Sequence, residues 1–214
     1  MARHGFPGTA RVPAVHAIAA PWVPGHGTGC HTSQMGTRRS INTPGDLHGL
    51  TFTTHKATKV LLVPECAKIM VDTLRETAMA HHCKVYAYVV MPEHMHVVIH
   101  PQVMEYQVED ILHFMKRRSS SRILSHLRQT SSPYLANLTH QRQDGKVEPR
   151  VWLRGGGYDR NLFVEHTIQS VINYIHLNPC RRGLCEMPCD WPWSSAKAYD
   201  DMDVTKIDFY DNYG

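Results

Sequence analysis

The sequence contains no CxxC pair, no apolar run approaching the roughly 18 residues of a membrane span, and no cluster of carboxylates. Each absence excludes something. Of the six cysteines, Cys30, Cys66, Cys83, Cys180, Cys185 and Cys189, only the last three fall close together, as C-x4-C-x3-C. A structural zinc site is therefore not expected, nor a disulfide framework in a chain of 214 residues; the thiols read as reduced. The opening stretch has its apolar part broken by Pro13, His16 and Pro21, unlike a signal peptide, and a cytoplasmic protein is expected. Without clustered carboxylates, a hydrolase built on several acidic metal ligands is disfavoured. What is present is 42% hydrophobic residues, enough for one core, and a net charge of +4 that leaves 16 histidines uncounted. That mild basicity is compatible with a nucleic-acid partner and does not require one.

Residues 1–46 are rich in Gly, Pro, Thr, Ser and Ala without periodicity and read as a disordered extension; 47–200 read as the folded domain and 201–214 as an acidic tail. Within the domain, GLTFTTH (49–55) reads as a strand with Leu50, Phe52 and Thr54 on one face. Residues 63–80 read as an amphipathic helix with Pro64 at its start. A strand follows at 85–90. Met91-Pro92-Glu93 is too short for a crossover, so the next strand, 94–99, pairs antiparallel with it. Residues 108–128 read as a helix and 130–148 as a polar loop. Val151-Trp152-Leu153 looks strand-like ahead of a glycine turn, and a helix of about 163–178 is expected to stop at Pro179. This order, β-α-β-β-α-β-α, predicts an α+β fold: a small antiparallel sheet with helices packed on one face.

Two segments carry chemistry. In the run from Val89 to His100, His94 and His96 flank one apolar residue, so both imidazoles point to the same face of a strand while Met95, Val97 and Ile99 point to the other. Two adjacent imidazoles suit one divalent metal, although HxH alone equally describes polar residues on a sheet face. Glu93 beside them reads as a turn residue first and as a hydrogen-bond partner of the ligating pair second. In the later helix, Ile168, Val171, Ile172 and Ile175 form an apolar stripe. Tyr174 and Asn178 lie one turn apart, placed to act as nucleophile and third metal ligand. Taken singly, Tyr174 also reads as a packed phenol and Asn178 as a helix cap. His176 faces elsewhere on that helix and reads as structural.

MPEHMH, RGGGYDRNL, YIHLNPCRRGL and WPWSS, in this order, resemble the single-tyrosine HUH transposases, above all the REP-associated tyrosine transposases. The resemblance runs from about Thr51 to about Tyr199. Cys180 and Cys185 depart from it, standing where aliphatic residues are expected, and the first forty or so residues match nothing in the family. Met35 opens a segment that resembles how relatives begin, which leaves open whether 1–34 is an upstream extension. The resemblance implies a ferredoxin-like fold and a single-stranded DNA nuclease and strand transferase. Its substrate would be a REP-like hairpin, its intermediate a 5′-phosphotyrosine with a free 3′-OH, and its active form a monomer, with a dimer that shares sites, as in relatives that transpose, left open. Tyr174 would be catalytic, and His94, His96 and Asn178 would hold Mg²⁺ or Mn²⁺ with positions open for a phosphate oxygen.

Expected DNA contacts come from the basic stretch Lys116, Arg117, Arg118 and Arg122, from Arg154 and Tyr158 around the glycines, and from Arg181 and Arg182 after the tyrosine helix. Trp191 and Trp193 read as core residues before base-stacking ones. Two other classes stay open. A non-catalytic DNA-binding protein on this fold would not need Tyr174, and a metal-dependent hydrolase using water would cut without a protein–DNA bond.

Overall fold

The structure is a computed structural model that describes residues 42–155 and 157–200. Strand alternation sets its layers. In β1 (Leu47–Thr53), Leu50 and Phe52 point to one side and Leu47 and Thr51 to the other. In β3 (His94–Pro101), Met95, Val97 and Ile99 share the side of Leu50, and Val98 the side of Leu47. The second strand, β2 (Cys83–Val90), pairs with β3 across the turn 91–93 in the expected antiparallel register, with a bulge between Val85 and Ala87.

Helices α1 (Pro64–Ala80) and α2 (Val108–Gln129) cover the Leu50 side with Met70, Leu74, Ile111, Met115 and Ile123. Their limits match the periodicity closely. Between α2 and the glycine segment, the expected polar loop holds a short helix, α3 (Tyr134–Asn137), and a hairpin of β4 (Thr139–Gln141) and β5 (Val147–Pro149). The hairpin turns at Asp144-Gly145, where Gly145 takes φ +79°. Its strands are three residues each and bury no side chain, so no alternation betrays them.

The fourth sheet strand lies after the glycines, not before. It is β6 (Tyr158–Leu162), paired antiparallel with β1. Val151 and Trp152 are buried against the α1/α2 core and touch the sheet through one bridge, Trp152 to Thr54. Their hydrophobicity reflects core packing there. Gly157 lies so close to β1 that a Cβ would sit 2.5 Å from the Thr51 carbonyl, and its φ is +90°.

The strand order is β2-β3-β1-β6, every neighbour antiparallel: the expected α+β, ferredoxin-like sheet. The helices are not confined to one face. α4 (Glu165–Arg181) covers the opposite side, where Ile172 and Ile175 pack on Leu47, Ala87, Val89, Val98 and Leu162. Nor does α4 stop at Pro179; it ends two residues later. Leu184 N–H donates to the Pro179 carbonyl at 3.0 Å and Gly183 N–H to the Cys180 carbonyl at 2.9 Å, closing the helix through Gly183 at φ +66°.

The WPWSS segment then runs beside β2. Val90 N–H donates to the Trp193 carbonyl, Ser195 N–H to the Tyr88 carbonyl and Trp191 Nε1–H to the Val90 carbonyl. Trp193 packs on the α1/α2 core and Trp191 on the α4 side. α5 (Ala196–Asp200) follows.

Of the residues read as a disordered extension, 42–46 are described and are tied to the start of α2. Asn42 Oδ1 accepts from Val108 N–H, and the Thr43 carbonyl accepts from Tyr106. The readings of 1–41 and of 201–214 lie outside the described residues. Among the described residues, no helix is long and apolar enough to cross a membrane.

Candidate metal and nucleophile site

His94 and His96 sit at the start of β3 on the side that α4 covers. Their Nε2 atoms are 3.1 Å apart, and the Asn178 side-chain amide lies 3.1 Å from His96 Nε2. His96 is 3% exposed and Asn178 7%, so the point on which these groups converge is largely closed to water. The amide nitrogen faces the imidazole as placed; half a turn of the amide presents Oδ1 to the same point.

The separations suit a cation. Neighbouring ligands on an octahedral ion with bonds of about 2.1 Å lie about 3 Å apart. Imidazole nitrogens suit first-row transition ions and an amide oxygen suits harder ions such as Mg²⁺ and Mn²⁺, so this mixed set could hold a divalent cation. Among the described residues, no three His, Cys, Asp or Glu side chains are grouped to hold a metal.

The other ring nitrogens are also held. His94 Nδ1 is 3.0 Å from Glu93 Oε1 and His96 Nδ1 is 2.7 Å from Thr51 Oγ1. A carboxylate only accepts, so His94 donates from Nδ1; in the neutral ring that tautomer makes Nε2 the lone-pair nitrogen. Glu93 also accepts from Arg182 at the end of α4. Burial raises the Glu93 carboxyl, but the bonds and charges of His94 and Arg182 outweigh it and bring its pKa down to about 2. Burial, helped by the neighbouring His94, pushes His96 down to about 3, so its ring is neutral and able to donate a lone pair at pH 7.

Tyr174 is half-buried one turn before Asn178, its ring 5.9 Å from that of His96 in an edge-to-face contact. The Arg181 guanidinium lies over the same phenol at 5.0 Å. By register, Tyr158 stands opposite Thr51 and so shares the His96 side of the sheet. His176 is buried and bonds Ser195 Oγ at 2.9 Å, fastening the WPWSS segment to α4.

The structure thus gathers His94, His96, Asn178, Tyr174, Arg181 and, through Glu93, Arg182. It does not bring the α2 basic stretch to them. α2 lies on the opposite side of the sheet, where Arg118 and Arg122 reach Glu76 of α1 at 3.8 and 2.7 Å. Lys116 is drawn inward, donating to the Gly155 carbonyl at 2.6 Å above the Phe52 ring; burial lowers it to about 8. Arg117 and Arg154 are exposed.

Of the two residues that orient the imidazoles, sequence reasoning missed one. Glu93, next to His94, reads from the sequence as a turn residue first and a hydrogen-bond partner of the pair second. Thr51 becomes visible only through the β1/β3 register that sets it opposite His96.

Residues 48–178 match the family described as transposase, IS200-like. The chain belongs to the IS200-like transposase family. Membership places it among DNA-processing proteins. Among solved structures, the fold is similar to that of a REP-associated tyrosine transposase bound to a REP hairpin, with 14% identity and a TM-score of 0.56 over 81% of this chain and 96% of that one. A Deinococcus radiodurans R1 protein described as a transposase is 21% identical over 64% of this chain and 95% of its own, with a TM-score of 0.42. Comparison with curated protein sequences gives no match.

Proposed function

We propose that this transposase-family protein is a divalent-metal-dependent nuclease and strand transferase for single-stranded DNA, with Tyr174 as its nucleophile. The supporting observation is the convergence of His94 Nε2, His96 Nε2 and the Asn178 amide, with Tyr174 one helical turn away on the same element. The Tyr174 oxygen attacks a phosphodiester phosphorus and loses its proton. The bond from phosphorus to the 3′ oxygen breaks, and that oxygen leaves as a hydroxyl after gaining a proton. The product is a 5′-phosphotyrosine; one phosphoester replaces another, so a second 3′-OH can reverse the step without ATP. Bound Mg²⁺ or Mn²⁺ supplies Lewis-acid polarisation of the phosphate.

His94, His96 and Asn178 hold that ion. Arg181, lying over the phenol, is positioned to meet the charge that builds on the phosphate. The substrate class follows from likeness: the structural relative bound to a REP hairpin supports hairpin DNA of REP type.

The test is a denaturing gel of labelled single-stranded hairpin oligonucleotides incubated with Mn²⁺ or Mg²⁺. A metal-dependent covalent adduct with wild type and its loss in Tyr174→Phe is the expected result. Cleavage that persists in the variant identifies water as the nucleophile, and binding without cleavage by both proteins indicates a DNA-binding role.

A further inference from the structure

Tyr174, Asn178 and Arg182 recur at four-residue intervals, so one side of α4 and its cap presents all three toward the start of β3. Asn178 reaches His96 directly. Arg182 reaches His94 through Glu93: the guanidinium donates to Glu93 Oε1, and the same oxygen lies 3.0 Å from His94 Nδ1. Glu93 Oε2 is enclosed without a partner, so Oε1 alone joins the two.

Both ends of this bridge are fixed by backbone. The Glu93 carbonyl accepts from Thr54 N–H at 2.8 Å and Thr54 Oγ1 at 3.0 Å, and the Pro92 carbonyl accepts from Leu61 N–H at 3.0 Å, which pins the turn. At the other end, Arg182 is the C-cap of α4. Its N–H bonds the Asn178 and Pro179 carbonyls, and the Gly183 turn closes behind it. The Glu93 side chain is 13% exposed and that of Arg182 37%, so the carboxylate end of the pair is shielded while the guanidinium meets solvent.

We infer that Glu93 and Arg182 are positioning residues that make metal affinity depend on the docking of the nucleophile helix. Glu93 fixes the His94 tautomer with Nδ1 protonated and Nε2 free to ligate, and Arg182 holds Glu93 in place from α4. The helix that carries the nucleophile and one ligand thereby also sets the orientation of a second ligand on the strand. Arg182 then acts through Glu93 and His94 and not as a phosphate contact. The inference rests on the metal site proposed above.

Two readouts test it. The first is Mn²⁺ affinity of the full chain by calorimetry. Glu93→Ala is expected to weaken binding about 10–100-fold, the usual consequence of losing the partner of a ligating histidine. Arg182→Ala is expected to weaken it less, Arg182→Lys to restore part of that loss, and the Glu93→Ala/Arg182→Ala double variant to bind no worse than Glu93→Ala, because the two act in series. The second is the imidazole nitrogen NMR spectrum of the metal-free protein, in which His94 is expected as a single Nδ1–H tautomer in wild type and as a mixture in Glu93→Ala.

Melting temperatures accompany each variant. Where Glu93→Ala does not fold, Glu93→Gln keeps an acceptor for His94 but not the charge for Arg182, and an affinity between wild type and Arg182→Ala or at the latter's level is expected. Unchanged Mn²⁺ affinity and tautomer in the Glu93 variants, with binding abolished in His96→Ala, would overturn the inference and leave the metal site standing. Mn²⁺ binding unaffected by His96→Ala, or absent in wild type, would overturn the metal site and the inference with it.

Discussion

Between the sheet and helices α1 and α2, most of the buried polar groups are short hydroxyls such as Thr77 and Ser119, which bond back to carbonyls of their own helices; the exceptions that reach across elements are the His48 imidazole, bonded to Tyr106 and Asp159, and the Trp152 indole, which donates to Ser119. Between the same strands and α4, they are imidazoles and an amide that bond across elements, His96 to Asn178 and His176 to Ser195. The first side holds the large apolar cluster, with Phe52, Met70, Met95, Ile111 and Met115 fully enclosed. The second holds a smaller one, interrupted where the candidate ligands meet. Polar groups that satisfy themselves locally leave a core free to pack. Polar groups that find partners across elements hold side chains in fixed relative positions, as a reacting site demands.

Substitutions should separate the two sides. The largest stability loss is expected from Phe52→Ala, which removes a ring 1% exposed and packed edge-on against Trp152 at 4.8 Å. A cost of about 3–5 kcal/mol is expected in urea unfolding, with Mn²⁺ affinity of the folded fraction unchanged. Asn178→Ala should do the reverse, lowering Mn²⁺ affinity at least tenfold. Equal effects of both variants on both measurements would erase the distinction.

A smaller effect comes from Lys116. Burial places its folded pKa at about 8 against an ordinary 10.5. Between these values the unfolded chain binds the proton that the folded chain has released. This contribution to stability is therefore full above about pH 10.5 and is lost as pH falls through about 8. Relative to Lys116→Met, wild type should gain stability from pH 8 to pH 10 in paired urea melts. Parallel pH profiles would show that Lys116 stays charged in the fold.

The smallest effect is expected from Arg118→Ala/Arg122→Ala. Both guanidinium groups are half-exposed partners of Glu76, and such pairs contribute about 0–1 kcal/mol each. Because they lie across the sheet from His96, their loss should lower affinity for hairpin DNA less than Arg181→Ala does, read in one filter-binding or anisotropy series at fixed salt. The opposite ranking would put the DNA on the α2 side.

The sequence made most of this legible through periodicity. Alternation in β1 and β3 and the stripes of α1 and α2 have one reading each, and the shortness of Met91-Pro92-Glu93 dictated the hairpin. The sidedness of α4 was hidden because its apolar stripe names a buried face but not the surface it meets. β6 was hidden because Leu162 is its only buried residue, while nearby Val151 and Trp152 carry the stronger hydrophobic signal for a different reason. Pro179 misled because the lost N–H and the crowded i−4 carbonyl that proline brings fall in the last turn of α4, and the helix continued to a glycine that could close it. At the site, the ligands and the tyrosine were readable as motifs. Thr51 was not, since it depends on strand register, and the tie of Glu93 to Arg182 was not, since it spans 89 positions.

The most direct test is peptide mapping by mass spectrometry of the covalent complex trapped on a hairpin oligonucleotide with Mn²⁺. A nucleotide remnant on Tyr174, and on no other residue, is the predicted result. A remnant on Tyr158, which shares the same side of the sheet, would contradict the assignment of nucleophile and with it the role of α4 as the chemical face.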